Sequence, residues 1–311
     1  MRHVIGIDLG GTTIKYAIVN ENGKMLYEAI LPSKADKSAK DILNQLYIAI
    51  DELVAFAKTE NIKLSGLGIG SPGIIDRMSG RVLGAAENLK GWEDIQLSRL
   101  LREHIDIPIY VDNDANVMGL AEATFGSAKG LTDVVFITIG TGIGGALIVN
   151  GQLYGGYRNR GAELGHFPFI ANGERCACGA VGCFEHYASI TALIKSYTNR
   201  CKAAGKEVPS DVNGEYIVER YHCDEPEAVE AIHENTDYIG QALAGFINIF
   251  SPQKVIIGGG IAEAGEFYLD LINKSINRQV MADCAVNTSV ELATLGNKAG
   301  CLGAAGLVFT A

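Results

Sequence analysis

Residues 5–27 read IGIDLGGTTIKYAIVNENGKMLY, and residues 136–154 read FITIGTGIGGALIVNGQLY. Each stretch opens on a short β-rich apolar run, turns through glycines and threonines, and resumes as a second run. Each then turns again at an Asn-Gly pair, Asn22-Gly23 or Asn150-Gly151, the dipeptide that suits the left-handed backbone of a tight hairpin. A third short run closes both copies. Two such meanders far apart in one chain are a weak internal duplication, and they predict an α/β fold of two lobes with related topology. The first turns, Asp8-Leu9-Gly10-Gly11-Thr12-Thr13 and Gly140-Thr141-Gly142-Ile143-Gly144-Gly145, carry the same chemistry. Amides exposed at glycine and hydroxyls on threonine cradle phosphate oxygens, and Asp8, at a strand end, is suited to a hydrated Mg2+. One such turn is equally an ordinary glycine-rich hairpin; two, one per lobe, are what gripping a triphosphate from both sides requires. Neither is a Walker A loop, since no G-x-x-x-x-G-K-[ST] is present. Neither opens a helix as the Rossmann G-x-G-x-x-G does.

Outward from these copies the pattern changes period. Over residues 38–60, Ile42, Leu43, Leu46, Tyr47, Ile50, Leu53 and Val54 recur at helical spacing, and Ser38 with Asp41 resembles a capping box. Residues 64–73 read as a buried strand entering a turn, 96–105 as a short helix, and 107–114 (IPIYVDND) as a strand. A helix follows over 115–126 with Gly126 as its stop, so the connection is parallel. Asp112-Asn113-Asp114 therefore sits at the carboxyl end of a strand, where α/β proteins put ligands. Asp114 is a candidate base for phosphoryl transfer there, or simply an N-cap. Helices are predicted over 190–205 and 225–250, a strand and glycine-rich turn over 254–262, a helix over 264–276, a strand over 290–296 and a small-residue helix over 297–309. Gly258-Gly259-Gly260 lets an adenosine approach the backbone, or is a tight strand–helix turn. The boundaries drawn are 1–115 for one lobe and 116–295 for the other, with the last helix, about 296–311, returning to the first.

The chain has 311 residues, 26 basic and 36 acidic, a net charge of −10, and no basic run. That balance argues against nucleic acid and anionic membranes as partners. No apolar run approaches the roughly 20 residues that span a bilayer. The opening MRHVIGIDLGG meets an acid and a glycine pair too early for a signal peptide, so a cytoplasmic protein is expected. Seven cysteines, an odd number with three grouped beside a histidine, suit a reducing compartment and a metal.

That group lies in residues 161–185, GAELGHFPFIANGERCACGAVGCFE, where His166, Cys176, Cys178 and Cys183 follow H-x9-C-x-C-x4-C. Three thiols and an imidazole suit a tetrahedral zinc site, and four protein ligands leave no open position, so the metal is structural. The plain alternative is cysteine as a small buried hydrophobe. A closed metal site would pin the backbone carrying Glu163 and Glu185 and present both acids rigidly to a polar ligand such as a sugar. Cys201, Cys223, Cys284 and Cys301 are scattered and read as packing.

Together, DLGGTT (8–13), VDNDAN (111–116), GTGIGG (140–145), AELGH (162–166), CACGAVGCFE (176–185) and IGGG (257–260) resemble the ROK family of sugar kinases and repressors over nearly the whole chain. That resemblance implies the two-lobe actin-like ATPase (ribonuclease H-like) fold, with ATP in the cleft. It implies Asp114 as the base that takes a proton from a sugar hydroxyl, usually the 6-OH. Asn113, Asp114, Glu163, His166 and Glu185 would bind the sugar, with Asn88 of ENLKGW another contact. His166 would serve twice, with Cys176, Cys178 and Cys183 completing the zinc site. The nucleotide side would be Asp8, Gly10, Gly11, Thr12, Thr13, Lys15, Gly140, Thr141, Gly142, Gly259 and Gly260, with Mg2+. Repressors of the family carry an N-terminal winged helix-turn-helix, whereas this sequence opens at the first phosphate strand, so a kinase is expected, as a homodimer or homotetramer. ENLKGW and the E-x-G-H/metal segment match glucokinase-like members. N-acetylmannosamine, N-acetylglucosamine, allose and fructose kinases share these motifs. Two rivals are a non-catalytic sugar-sensing protein of the repressor branch and an iron–sulfur or redox protein built on Cys176, Cys178 and Cys183.

Overall fold

The computed structural model describes residues 1–84, Ala86 and residues 88–311. The first apolar runs fold as β1 (His3–Leu9), β2 (Thr13–Asn20) and β3 (Met25–Pro32), an antiparallel meander. Gly23 stands at φ 81° in its second turn, the conformation Asn-Gly predicts. Helix α1 (Ala39–Thr59) is capped by Ser38, whose Oγ accepts from the Asp41 N–H at 3.2 Å and whose hydroxyl donates to the Asp41 carboxylate at 2.5 Å. Its apolar stripe of Ile42, Leu46, Ile50 and Leu53 is buried against this sheet. Strand β4 (Leu64–Ser71) lies parallel to β1. A short hairpin follows, β5 (Ile74–Asp76) and β6 (Arg81–Gly84), then α2 (Leu97–Arg102) and β7 (Ile109–Asn113), parallel to β4. The strand order is β3-β2-β1-β4-β7.

Helix α3 (Asp114–Thr124) leads into β8 (Val134–Ile139), β9 (Ile143–Val149) and β10 (Gln152–Tyr154), again an antiparallel meander. Then come α4 (Glu185–Ala188), α5 (Ile190–Ala203), α6 (Gly214–His222), α7 (Pro226–Phe250), β11 (Lys254–Gly258), α8 (Glu266–Asn277), α9 (Ala282–Ala285), β12 (Ser289–Leu292) and α10 (Ala299–Phe309). Strand β11 pairs in parallel with β8 and β12, giving the order β10-β9-β8-β11-β12. The second sheet repeats the first: a meander, then two parallel strands on the side of its first strand. The duplication in the sequence is a duplication of topology.

The β5–β6 hairpin and the helices α4, α6 and α9 were not expected from the sequence. The helix read from residue 264 begins at Glu266, because Gly265 adopts φ 91° after a 3-10 turn over Gly260–Ala264. Helix α10 lies on the first sheet at backbone contact. A Cβ on Gly68 of β4 would fall 1.7 Å from the Ala304 carbonyl oxygen, and one on Gly303 would fall 1.6 Å from that of Val117 in α3. Only glycine permits this approach. The buried Glu122 of α3 holds the chain leading into α10, accepting from the Thr294 N–H (2.8 Å), its hydroxyl (3.0 Å) and the Leu295 N–H (2.9 Å). It also accepts from the Ser127 N–H (2.9 Å) and hydroxyl (3.1 Å). Among the described residues no helix is long and apolar enough to cross a membrane.

Candidate active site

The carboxyl end of β7 is a knot of polar side chains. Asp112, fully buried, accepts from the Asn113 N–H at 2.7 Å and Asn116 Nδ2 at 3.0 Å, and pairs with the Arg77 guanidinium. The N-cap of α3 is Asn113, not Asp114. Its Oδ1 accepts from the N–H groups of Ala115 (2.9 Å) and Asn116 (3.3 Å), and its Nδ2 donates to the Gly73 carbonyl at 3.0 Å. Asp114 occupies the first helical position, where the positive end of the dipole favours an anion. Burial nevertheless pushes its carboxyl up from the ordinary range, against the opposing hydrogen bonds from Ala115 and Asn113.

Asp114 lines a cavity of about 470 Å³ together with Asn113, Glu163, His166, Glu185 and the turn Gly140, Thr141, Gly142. Thr138 and Met118 are shared with a second cavity of about 310 Å³, whose wall includes Asp8, Lys15, Gly259 and Gly260. Asp114 is felt from both sides. Glu163 is raised by burial and by Asp114, against the pull of His166. Asp8 is raised to about 6 by burial first, with Lys15 opposing and Asp114 adding. A third, more apolar cavity of about 520 Å³ shares Gly260 and Glu263 with the second and is lined by Leu193, Val218, Ile261 and Tyr268.

The other glycine turn is placed differently. The Gly10 N–H is spent on the Thr13 carbonyl at 2.9 Å, and the linings of these cavities do not include Gly10, Gly11, Thr12 or Thr13. Asn88 is not in the first cavity either; its Cβ lies 3.5 Å from where a Cβ on Gly11 would stand. Glu87 of the same motif lies outside the described residues. Sequence reasoning missed Asn297, in the 3-10 turn before α10, and Gly300, in its first turn, both in the second cavity. Asn297 Oδ1 accepts from Lys15 Nζ at 3.3 Å, and a Cβ on Gly300 would meet the Asp8 carboxyl carbon at 2.3 Å. The signal was Gly300 itself, hidden in a run that reads as a small-residue helix.

The Cys/His segment and the second glycine turn are one unit. Glu185 Oε2 accepts from the Ile143 N–H at 2.7 Å. The Ile190 N–H donates to the Gly140 carbonyl at 2.9 Å and the Thr191 hydroxyl to that of Thr141 at 2.7 Å. Cys176 Sγ lies 3.6 Å from His166 Nδ1, Cys178 Sγ lies 3.6 Å from Cys183 Sγ, and the four donors are all within 4.8 Å of one another. Tetrahedral bonds of about 2.3 Å to sulfur and about 2.0 Å to nitrogen give edges of roughly 3.5–3.8 Å, so the donor set fits zinc. With Nδ1 toward the thiols, the other ring nitrogen of His166 is left for the cavity it lines. Phe167 backs the loop, with its ring centroid 5.6 Å from that of Phe184 and 5.3 Å from that of Phe246.

The family model described as "ROK family" matches residues 4–311. A glucokinase of Thermotoga maritima is 32% identical over 98% of this chain and 96% of its own length. A putative xylose repressor of a Caldicellulosiruptor species is 29% identical over 99% of this chain and 78% of its own. Among solved structures, a ROK family glucokinase from Streptomyces griseus in complex with glucose and AMPPNP matches with a TM-score of 0.83 at 32% identity, covering 99% of this chain and all (100%) of that one. The duplicated sheets are those of the two-lobe actin-like ATPase fold, and a match from residue 4 to the last residue means that this chain belongs to the ROK family.

Proposed function

We propose that the protein is an ATP-dependent hexose kinase that transfers the γ-phosphate to the 6-hydroxyl of a sugar, with glucose the leading acceptor. One observation carries the reading. Asp114 lines the same cavity as Glu163, His166, Glu185 and the Gly140–Gly142 turn, and Asp8 and Lys15 line the adjoining one. Glu163, Glu185, His166 and Asn113 hold the sugar hydroxyls. Asp114 takes the proton of the attacking hydroxyl, and its burial makes it a stronger base than an exposed carboxylate. The nucleotide phosphates run between the Gly140–Gly142 turn and the Gly258–Gly260 turn, and the adenosine fills the cavity beyond Gly260. Asp8 holds the hydrated Mg2+, which when bound supplies charge neutralisation for the transferring phosphoryl group. His166, Cys176, Cys178 and Cys183 hold a structural zinc. Residues 1–115 with the C-terminal helix form one lobe and 116–295 the other, and their closure excludes water, which would otherwise take the phosphate.

The glucokinase relative and the glucose-bound structure support glucose. The repressor relative favours a second reading, a sugar sensor without turnover. A panel of sugars with ATP, followed by ADP release, decides the acceptor; if glucose is not among the preferred sugars, that assignment fails. Asp114→Ala decides between kinase and sensor. A kinase loses nearly all turnover and still binds sugar, whereas near-normal turnover means that the base lies elsewhere. Metal analysis should give about one zinc per chain, and iron or a visible chromophore would favour the redox rival.

A further inference from the structure

We propose that Arg77 is a positioning residue for this reaction, holding the segment that carries Asp114 in register with the second lobe. This rests on the kinase reading above. Arg77 is the first residue of the β5–β6 turn and belongs to none of the sequence motifs. Its Nε pairs with Asp112, whose carboxylate also receives the Asn113 N–H (2.7 Å) and Asn116 Nδ2 (3.0 Å). The guanidinium therefore acts on the first turn of α3 through one buried carboxylate. From the same fork, Nη1 donates to the Leu153 carbonyl in β10, a strand of the other sheet, at 3.2 Å. A second bond crosses the same seam, from Asn159 Nδ2 to the Ile75 carbonyl in β5 at 3.1 Å.

Stability is a poor explanation for this arrangement. A buried ion pair is often no better than well-packed apolar residues of the same volume. Arg77 Nη2 and Asn159 Oδ1 are both buried without a hydrogen-bond partner, which is costly. What the fork does achieve is geometric. Planar and rigid, it fixes the distance between the strand end leading into Asp114 and β10, which pairs with β9, the strand that follows the second glycine turn. A lysine, a point charge on a flexible stem, cannot hold both.

The test compares Arg77→Lys, Arg77→Met and the double variant Arg77→Met/Asp112→Asn, which removes the charge that the single variant orphans. Displacing a reacting group by about 1 Å costs up to roughly 100-fold, so kcat should fall roughly 10- to 100-fold in all three, with KM for ATP within about twofold. The double variant should regain thermal stability without regaining kcat. Recovery of both together, or wild-type kcat in folded Arg77→Met, overturns the proposal. Hydrogen exchange supplies a readout independent of turnover. Arg77→Met should speed exchange in both the first turn of α3 and residues 151–154, and an unchanged rate at either site also overturns it. A wild type that phosphorylates no sugar refutes the kinase reading instead, while the exchange result still judges the coupling.

Discussion

Gly142→Ala should weaken sugar binding without touching the metal site. Gly142 carries no left-handed φ, so alanine fits its backbone, but the new Cβ would stand 2.3 Å from Glu185 Oε2 and 3.1 Å from its carboxyl carbon. An ordinary carbon–oxygen contact is near 3.2 Å, so the carboxylate must retreat by about 1 Å, which is enough to break a hydrogen bond. The bond at risk is the 2.7 Å one from the Ile143 N–H, and with it goes the position from which Glu185 meets the sugar. A hydrogen bond to a charged group is worth about 1.5–3 kcal/mol net, which is roughly a 10- to 150-fold rise in sugar Kd. Titration calorimetry with glucose, without nucleotide, measures this directly, and zinc content and Tm serve as controls. Adding Glu185→Asp, one methylene shorter, should relieve the clash and recover part of the affinity. A folded Gly142→Ala protein whose sugar Kd stays within about threefold of wild type would refute the idea that this carboxylate is held by the turn.

Three further predictions follow from the same geometry. Asp114 works deprotonated and burial raises its pKa, so kcat/KM should climb with pH along a limb above the ordinary carboxylate range; a limb at the ordinary value contradicts the assignment. Asp8 titrates near 6 when folded against a usual 3.8, so in the metal- and nucleotide-free protein the folded state binds more protons in that window. Stability therefore falls as pH rises through it, and Asp8→Asn should raise Tm at neutral pH more than at mildly acidic pH while abolishing turnover, as calorimetry at the two pH values will test. Chelating the zinc should loosen residues 163–185 and weaken sugar binding before ATP binding, because Glu185 and the Gly140–Gly142 turn hang from that loop. Equal loss of both affinities would count against that order.

Features whose chemistry is local in sequence were legible there. The Asn-Gly turns announced both meanders, and the spacing of His166, Cys176, Cys178 and Cys183 announced a donor set that closes within 4.8 Å. The DND run announced a polar strand end. Features that depend on distant chain crossings were not legible. Strands β5 and β6 are three and four residues long, too short to show a period, so nothing in the sequence marked Arg77. Asn88 belongs to a motif, yet the fold places it beside Gly11, outside the first cavity. Asn113 and Asp114 are both good N-caps, and one residue of helix phase decides which one is freed for chemistry. The third cavity is built from α5, α6, the 3-10 turn and α8, four segments without a shared motif.

The contact of α10 with β4 and α3 constrains how the cleft can work. Where helices meet through side chains, rotamer changes let one ride over the other. Here carbonyl oxygens of Ala304 and Val117 occupy the room a methyl group would need at Gly68 and Gly303, so there is no compressible layer between the parts. Glu122, with five donors on its two oxygens, pins the far end of the same seam. A joint built this way resists sliding, because any translation drives backbone into backbone. A heavier residue at either glycine would force that seam apart and shift α3, which carries Asp114, although neither glycine lines the cavities described above.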